Sequence, residues 1–174
     1  ATPDVYERLS AKHGNLVHIP EFLTAANAGA DYLNGKFAII GGRIRAYMHG
    51  AERVIRIAQN SLEWVQFCTI AEAATTKYAI SSFLATKVVF FNELLQLCAT
   101  IGADFDRVQR MMLLDSRIGK SHTRVPGPDG SYGFGGHCFP KDTEALLHYA
   151  ESVNSPLNVL DAAVKKNTLL RLLK

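Results

Sequence analysis

Cysteine is scarce in this chain of 174 residues, with only Cys68, Cys98 and Cys138. An odd, sparse count without a C-x-x-C pair argues against a disulfide framework and favours a reducing compartment. No run approaches the roughly 18 uninterrupted apolar residues that a membrane span needs. The sequence therefore predicts a soluble, cytoplasmic protein that does not cross a membrane.

The chain also has little excess of charge of either sign, because its 19 basic and 16 acidic residues leave a formal net charge of +3. The basic residues are scattered and form no run typical of a nucleic-acid surface. The six histidines form neither an H-x-x-x-H nor an H-E-x-x-H pattern. We therefore expect no nucleic-acid partner and no metal site.

The first part of the chain has an α/β pattern. Thr2-Pro3-Asp4 combines a capping residue, a proline and an acid, which is typical of a helix start. Short apolar runs predict strands, and a longer stretch between two of them predicts a helix. The predicted strands are 16–19, 37–40 and 64–69, and the helix is 43–59. The opening residues read like the interior of a domain, which is typical of a piece of a longer protein.

The second part of the chain has a helical pattern. Residues 72–101 contain neither Gly nor Pro, and their apolar residues recur at spacings of three and four. A helix of this length is typical of a spine between domains or subunits. Asp104 is predicted to cap the next helix, 105–114, and further helices are predicted at 140–152 and 157–173. The intervening loop, 115–138, is long enough to indicate a functional segment.

The sharpest local motif is Gly133-Phe134-Gly135-Gly136-His137-Cys138-Phe139-Pro140-Lys141-Asp142. Glycines allow the backbone to approach a ligand closely. Cys138 follows them at the entry to a predicted helix, where backbone amides and nearby Lys141 favour a thiolate. Asp142 lies four residues on and can share a helical face with Cys138. A thiolate beside a carboxylate suits covalent catalysis on a carbonyl group, followed by hydrolysis.

A purely structural interpretation of this motif stays open. The glycines would then form a tight turn, and Cys138 would be buried as a small hydrophobic residue. Lys141 would be a solvated residue at a helix start, and Asp142 would complement the helix dipole.

The motif resembles the G-F-G-G-x-C-x-x-K-D signature of the UDP-glucose/GDP-mannose dehydrogenase family, and other segments resemble the family in the same order. They are Pro20-Glu21-Phe22-Leu23, Ala71-Glu72 followed by Lys77, Phe83-Leu84-Ala85-Thr86-Lys87, Phe91-Asn92-Glu93-Leu94 and Asp115-Ser116-Arg117-Ile118-Gly119. The resemblance runs across nearly the whole chain. We therefore identify the chain by sequence as a partial member of this family, most like a UDP-glucose 6-dehydrogenase.

The resemblance implies a mixed α/β part followed by an all-α part. Residues 1–69 would be the C-terminal part of an NAD-binding Rossmann-type domain. Residues 70–174 would be a central helical domain that carries the active site and forms a homodimer through the 72–101 helix. The implied activity is the NAD-dependent four-electron oxidation of a nucleotide sugar, foremost UDP-glucose to UDP-glucuronate. UDP-N-acetyl-mannosamine and GDP-mannose stay open as substrates.

The resemblance also implies catalytic roles. Cys138 would form a thiohemiacetal and then a thioester at C6 of the sugar. Lys77 would stabilise the oxyanion, Asp142 would order a water molecule and Lys77, and Glu21 would serve as the acid/base for thioester hydrolysis. From local sequence alone, Lys77 would be a solvated helix residue and Glu21 a surface acid.

The remaining implied site residues bind the substrate or the cofactor. The substrate residues are Phe22, Leu23, Ser81, Arg117, Arg124, Phe134, Gly135 and Gly136. The backbone of the last three would line the sugar pocket, and Arg117 would reach the sugar nucleotide of a partner subunit, with a structural salt bridge as its alternative. Lys141 would lie near NAD.

Several features depart from the family pattern. No G-x-G-x-x-G turn occurs in the sequence, so the NAD pyrophosphate turn is absent from it. Ala25 stands where a second glutamate is usual, and Ser81 stands where an asparagine is usual. Residues 125–132 form a longer loop than expected, which suits either a lid or an inserted turn.

Two other functions stay open. The chain could act as a helical dimerisation module that does not catalyse on its own. A stand-alone cysteine hydrolase or redox protein is the poorer hypothesis, because no histidine is placed to pair with Cys138.

Overall fold

The structure is a computed structural model, and it describes residues 1–24, 27–59 and 61–173. The chain divides into two compact units, Ala1–Ala79 and Ile80–Lys174. The described residues of the first unit are mixed α/β, and those of the second unit are helical. The division between the units lies between residues 79 and 80, whereas the sequence placed the domain boundary between residues 69 and 70.

A three-stranded sheet organises the first unit. Its elements are α1 (Pro3–Lys12), β1 (Val17–His18), α2 (Ala28–Leu33), β2 (Phe37–Gly42), α3 (Arg45–Ala58) and β3 (Trp64–Cys68). The strand order is β1-β2-β3, with β1 antiparallel and β3 parallel to β2. The β2-α3-β3 segment is therefore a crossover unit, which is the connection that parallel strands require.

The core of this unit lies between the sheet and α3. Ile40 is fully buried and clusters with Ala38, Met48 and Ile55. At the end of β2, a Cβ atom on Gly41 would lie only 2.7 Å from the Ala73 Cβ. A glycine is therefore needed there for the strand to approach the following helix.

The predicted strands agree with the structure within one or two residues, whereas α2 was not predicted. The α2 helix is six residues long, contains a glycine and buries no residue. It therefore carries no apolar face that a periodicity argument could detect.

The predicted long helix is α4, which spans Ile70–Ile101. Its 32 residues extend about 48 Å at 1.5 Å per residue. Its start is a capping box, because Thr69 Oγ1 accepts from the Glu72 amide at 3.2 Å and Glu72 Oε2 accepts from the Thr69 amide at 2.7 Å. Gly102, with a φ of 71°, ends the helix.

By length and composition alone, α4 could cross a membrane, although core helices of soluble proteins pass the same test. The sequence predicted no such segment. Near the middle of α4, the Lys87 ammonium donates to the carbonyls of Ile118 and Gly119 at 2.8 and 2.9 Å. Protein groups therefore satisfy this charge, and burial lowers the pKa of Lys87.

Three further helices complete the second unit, namely α5 (Phe105–Met112), α6 (Cys138–Ser152) and α7 (Asn158–Leu170). The predicted cap of α5 is confirmed, because Asp104 Oδ1 accepts from the Arg107 amide at 3.1 Å. One core cluster joins α4 and α7 to the glycine motif through Ala85, Val89, Phe134, Ala163 and Leu170.

Helix α6 begins two residues before its predicted start. Cys138 is its first residue, and Pro140 lies within its first turn. Proline is tolerated there because the first amides of a helix have no intrahelical acceptor.

Candidate active site

A lysine–glutamate pair in the first unit is the first cluster of predicted site residues. Lys77 Nζ lies 3.0 Å from Glu21 Oε1, and Glu21 Oε2 accepts from the Leu23 amide at 2.9 Å. The Lys77 ammonium also lies 5.7 Å from the centre of the Phe22 ring, within range of a cation–π interaction. The structure therefore brings together Glu21, Phe22, Leu23 and Lys77.

The environment of this pair differs from that of a surface ion pair. The Lys77 side chain is only 19% exposed, whereas that of Glu21 is 55% exposed. Lys77 is therefore not the solvated helix residue that local sequence suggested. The Lys77 ammonium is largely shielded from water, so it can stabilise a nearby negative charge. The Glu21 carboxylate is open to water, so it can exchange protons with solvent.

The glycine motif in the second unit presents Cys138 to solvent. The thiol is exposed, and the residue opens α6, where the unpaired amides of the first turn favour negative charge. Gly133 and Gly136 have φ angles of 70° and 75°, which glycine adopts without strain. The alternative that Cys138 is a buried hydrophobic residue is therefore wrong.

Asp142 lies one turn along α6 and is 1% exposed. Lys141 Nζ donates to its Oδ1 at 2.6 Å. Its Oδ2 is buried and has no hydrogen-bond partner among the described residues. A buried carboxylate oxygen without a partner is costly, so this oxygen can accept a hydrogen bond that the described residues do not supply.

Two buried asparagines hold the glycine motif. No site role was predicted for either of them, although Asn92 lies in one of the segments that resemble the family. Asn92 on α4 accepts from the Gly133 amide at 2.9 Å. Asn167 on α7 accepts from the Phe134 amide at 2.7 Å and donates to the Phe134 carbonyl at 3.0 Å. The amide and the carbonyl of Phe134 thus both form hydrogen bonds within the protein. The sequence had instead suggested that the Phe134 backbone lines the sugar pocket.

Gly135, the second glycine of the motif, lies against Arg171, the residue that directly follows α7. A Cβ atom on Gly135 would lie 2.9 Å from Arg171 Nη2. Arg171 Nη1 also donates to Asp129 Oδ2 at 2.7 Å, and this bond lowers the pKa of the Asp129 carboxyl. The longer loop, 125–132, is therefore tied to the helix that borders the glycine motif.

The remaining substrate residues lie in different surroundings. Ser81 is buried on α4, one turn after Lys77. Arg117 is paired with Asp115, with 2.5 Å between Nη2 and Oδ2, and its side chain is 87% exposed. The structure thus contains the salt bridge that was the alternative role for Arg117. Arg124 is exposed, and Ala25 lies outside the described residues.

An open groove with a volume of about 630 Å³ borders the first turns of α6. Its lining includes Gly136, His137, Pro140 and Lys141, so the predicted cofactor residue faces open space beside the thiol-bearing helix. No group of three or more potential metal ligands occurs within residues 1–24, 27–59 and 61–173.

Comparison with known proteins decides the family. The model of the UDP-glucose/GDP-mannose dehydrogenase family, central domain, matches residues 71–169. The chain belongs to the UDP-glucose/GDP-mannose dehydrogenase family. Within this family, it is 36% identical over 154 residues to UDP-glucose 6-dehydrogenase TuaD of Bacillus subtilis, covering 88% of this chain and 32% of that protein. It is also 36% identical over 157 residues to a UDP-glucose 6-dehydrogenase of Rhizobium meliloti, covering 87% and 34%.

Solved structures of family members have the same fold. A UDP-glucose dehydrogenase from Pyrobaculum islandicum superposes with a TM-score of 0.78 at 30% identity, covering 88% of this chain and 34% of that one. A UDP-D-ManNAc dehydrogenase from Pyrococcus horikoshii gives the same TM-score at 19% identity, covering 97% and 40%. The chain thus spans about a third of the length of the curated family members that it matches.

Proposed function

We propose that this chain is the active-site portion of a nucleotide-sugar 6-dehydrogenase that oxidises UDP-glucose to UDP-glucuronate. The observation that carries the proposal is the exposed thiol of Cys138 at the start of α6, in a chain of this family. UDP-glucose is the favoured substrate because the relatives from Bacillus subtilis and Rhizobium meliloti are named UDP-glucose 6-dehydrogenases.

The reaction converts the C6 hydroxymethyl group into a carboxylate, with loss of two hydrides and consumption of one water molecule. At the aldehyde level, the Cys138 thiolate attacks C6 and forms a thiohemiacetal. Loss of the second hydride gives a thioester, which water hydrolyses to release the acid and the thiolate. Covalent attachment keeps the aldehyde on the enzyme between the two oxidations.

Three side chains would assist these steps. The Lys77 ammonium, which is largely withdrawn from water, would stabilise the negative oxygen that forms when C6 is attacked. Glu21, whose carboxylate is more exposed, would move protons to and from water during hydrolysis. The unpartnered Oδ2 of buried Asp142 would accept a hydrogen bond from the attacking water.

The proposed hydride acceptor is NAD, as the family resemblance implies. The chain's own residues do not fit a complete dinucleotide site, because the sequence contains no G-x-G-x-x-G turn. Within this chain, Lys141 is the residue that we assign to the cofactor, and its side chain lines the open groove beside α6.

We further propose that residues 1–69 complete an NAD-binding Rossmann-type domain and that residues 70–174 form the central domain. The crossover between parallel strands β2 and β3 supports the first assignment. The match of the central-domain model to residues 71–169 supports the second. Three free cysteines among the described residues fit a cytoplasmic enzyme.

The same central domain would form a homodimer through the 72–101 helix. Phe83, Phe90 and Leu97 recur every seven residues on α4 and are 70%, 54% and 54% exposed. Large apolar side chains in such a row are typical of a surface that is buried against a partner. This row also favours the second candidate function, a helical dimerisation module without catalysis of its own.

The test uses the full-length protein that contains this chain. With UDP-glucose and NAD, we expect two NADH for each UDP-glucuronate released. Cys138→Ala should abolish acid production, whereas the matched control Cys68→Ala, on β3, should retain it. Acid production by Cys138→Ala would refute the mechanism. A dimeric native protein that reduces no NAD with any nucleotide sugar would leave the dimerisation module as the better account.

A further inference from the structure

The glycine motif rests on two buried carboxamides from different helices. Asn92 is 2% exposed and Asn167 is 8% exposed, although asparagine is usually a surface residue. Asn92 Oδ1 accepts from the Gly133 amide, while its Nδ2 donates to the Val88 carbonyl at 2.8 Å. Both functional groups of each side chain are therefore satisfied, as burial requires.

Asn167 forms more hydrogen bonds to the motif than Asn92 does. It pairs with both the amide and the carbonyl of Phe134, so two bonds fix the orientation of that peptide as well as its position. A Cβ atom on Gly133 would lie 2.4 Å from Asn167 Oδ1. The backbone at Gly133 thus lies directly on the carboxamide, and any larger residue there would displace it.

Phe134, whose backbone is held by Asn167, also packs against the first turn of α6. The Phe134 side chain is 5% exposed, and its ring packs edge-on against the Phe139 ring, with 6.0 Å between centroids and 89° between planes. Cys138 lies between these two residues in sequence. One turn after Asn167, the Arg171 guanidinium lies against Gly135, which directly follows Phe134 in the motif.

We propose that Asn167, assisted by Asn92, is a positioning residue that sets the direction of the Cys138 thiol. This inference rests on the proposed function, because it treats Cys138 as the nucleophile. It adds that the asparagines hold the Cys138 thiol in the orientation needed to attack C6. A thiol must approach a carbonyl carbon along a narrow range of directions. A displacement of about 1 Å in such a group can lower the rate about 10²-fold.

The alternative is that the asparagines only stabilise the fold. Asn167→Leu and Asn92→Leu remove the bonds to the motif while keeping the number and branching of the side-chain heavy atoms. Asn92→Asp keeps an oxygen that can accept from the Gly133 amide. Leu160→Ala is the control for lost stability, because Leu160 is buried on the same helix as Asn167 and is not one of the residues that bond to the motif.

The first readout is steady-state kinetics of the full-length protein, together with its melting temperature. We expect Asn167→Leu to lower kcat about 10²-fold with little change in the KM for UDP-glucose, because the sugar nucleotide would still bind. Leu160→Ala should melt at a similarly lowered temperature and keep its kcat. Asn92→Asp should retain more activity than Asn92→Leu. Parallel losses of kcat in Asn167→Leu and Leu160→Ala would overturn the inference.

The second readout does not depend on dehydrogenase activity. The rate of Cys138 alkylation by iodoacetamide near neutral pH can be followed by mass spectrometry of the peptide that contains it. We expect a several-fold change of this rate in Asn167→Leu, because a thiol that points in another direction has a different accessibility to the reagent, and an unchanged rate in Leu160→Ala. Equal rates in both variants would overturn the inference even if the native protein oxidised no nucleotide sugar.

Discussion

Replacing Asp142 with asparagine should remove activity without destabilising the protein. The side chain is almost fully buried, and its Oδ2 lacks a hydrogen-bond partner in the described part of the chain. Replacing a buried carboxylate oxygen that lacks a hydrogen-bond partner removes a penalty of roughly 1–3 kcal/mol from the folded state. The substitution also loses the ion pair with Lys141, whose side chain is 57% exposed, so that solvent screening limits this loss.

An amide nitrogen in place of Oδ2 would keep part of the penalty, so we expect the free energy of unfolding of Asp142→Asn to stay equal or rise by about 1 kcal/mol. Loss of a group that positions or deprotonates water should lower kcat by about 10²–10⁴-fold. Chemical denaturation and NADH production by the full-length protein measure the two effects. If the variant loses more than about 2 kcal/mol of stability and keeps its kcat, Asp142 is a structural carboxylate and the reasoning fails.

Two further predictions concern assembly and pH. Phe90→Glu should convert the full-length protein from dimer to monomer in light scattering, because Phe90 is 54% exposed in the single chain and its apolar surface would be buried in the dimer. Ala99→Glu places the same charge on the opposite face of α4 and should leave the dimer intact, so equal effects would contradict the assignment. Burial lowers the pKa of His18, which stacks on Tyr6 with 4.0 Å between ring centroids, from 6.5 to about 4. The unfolded chain therefore binds a proton that the folded chain does not, and stability should fall as the pH drops from 6.5 towards 4. Since the ring is only half-buried, the loss should be roughly 1–2 kcal/mol; His18→Phe should flatten this pH dependence in thermal denaturation, and an unchanged slope would contradict the assignment to His18.

Local sequence signals predicted most of the fold. The strand β2 was evident because a short β-branched run is followed by two glycines, and α4 was evident because its apolar spacing continues without a breaker. The start of α4 was placed two residues late, although Thr69 and Glu72 form a capping box that can be read from the sequence. In contrast, α2 has no buried face and gave no signal.

The candidate site was only partly accessible from sequence. The Cys138 motif is contiguous and therefore visible, whereas Glu21 and Lys77 are far apart in the chain and were assigned to one site only through the family resemblance. Asn167 was missed because its partner is the backbone of Phe134, 33 residues away, and hydrogen bonds to backbone carry no side-chain signature. The bond between Arg171 and Asp129 is similarly remote in sequence.

The identity of the atom that attacks C6 can be measured directly. Glu21→Gln should slow thioester hydrolysis, because the amide cannot exchange protons with water, so a covalent intermediate should accumulate during turnover of UDP-glucose and NAD. Mass spectrometry of the acid-quenched full-length protein should then find the sugar nucleotide attached to the peptide that contains Cys138. NADH formation by this variant with no adduct, or with an adduct on Cys68 or Cys98 instead, would contradict the assignment of Cys138 as the nucleophile.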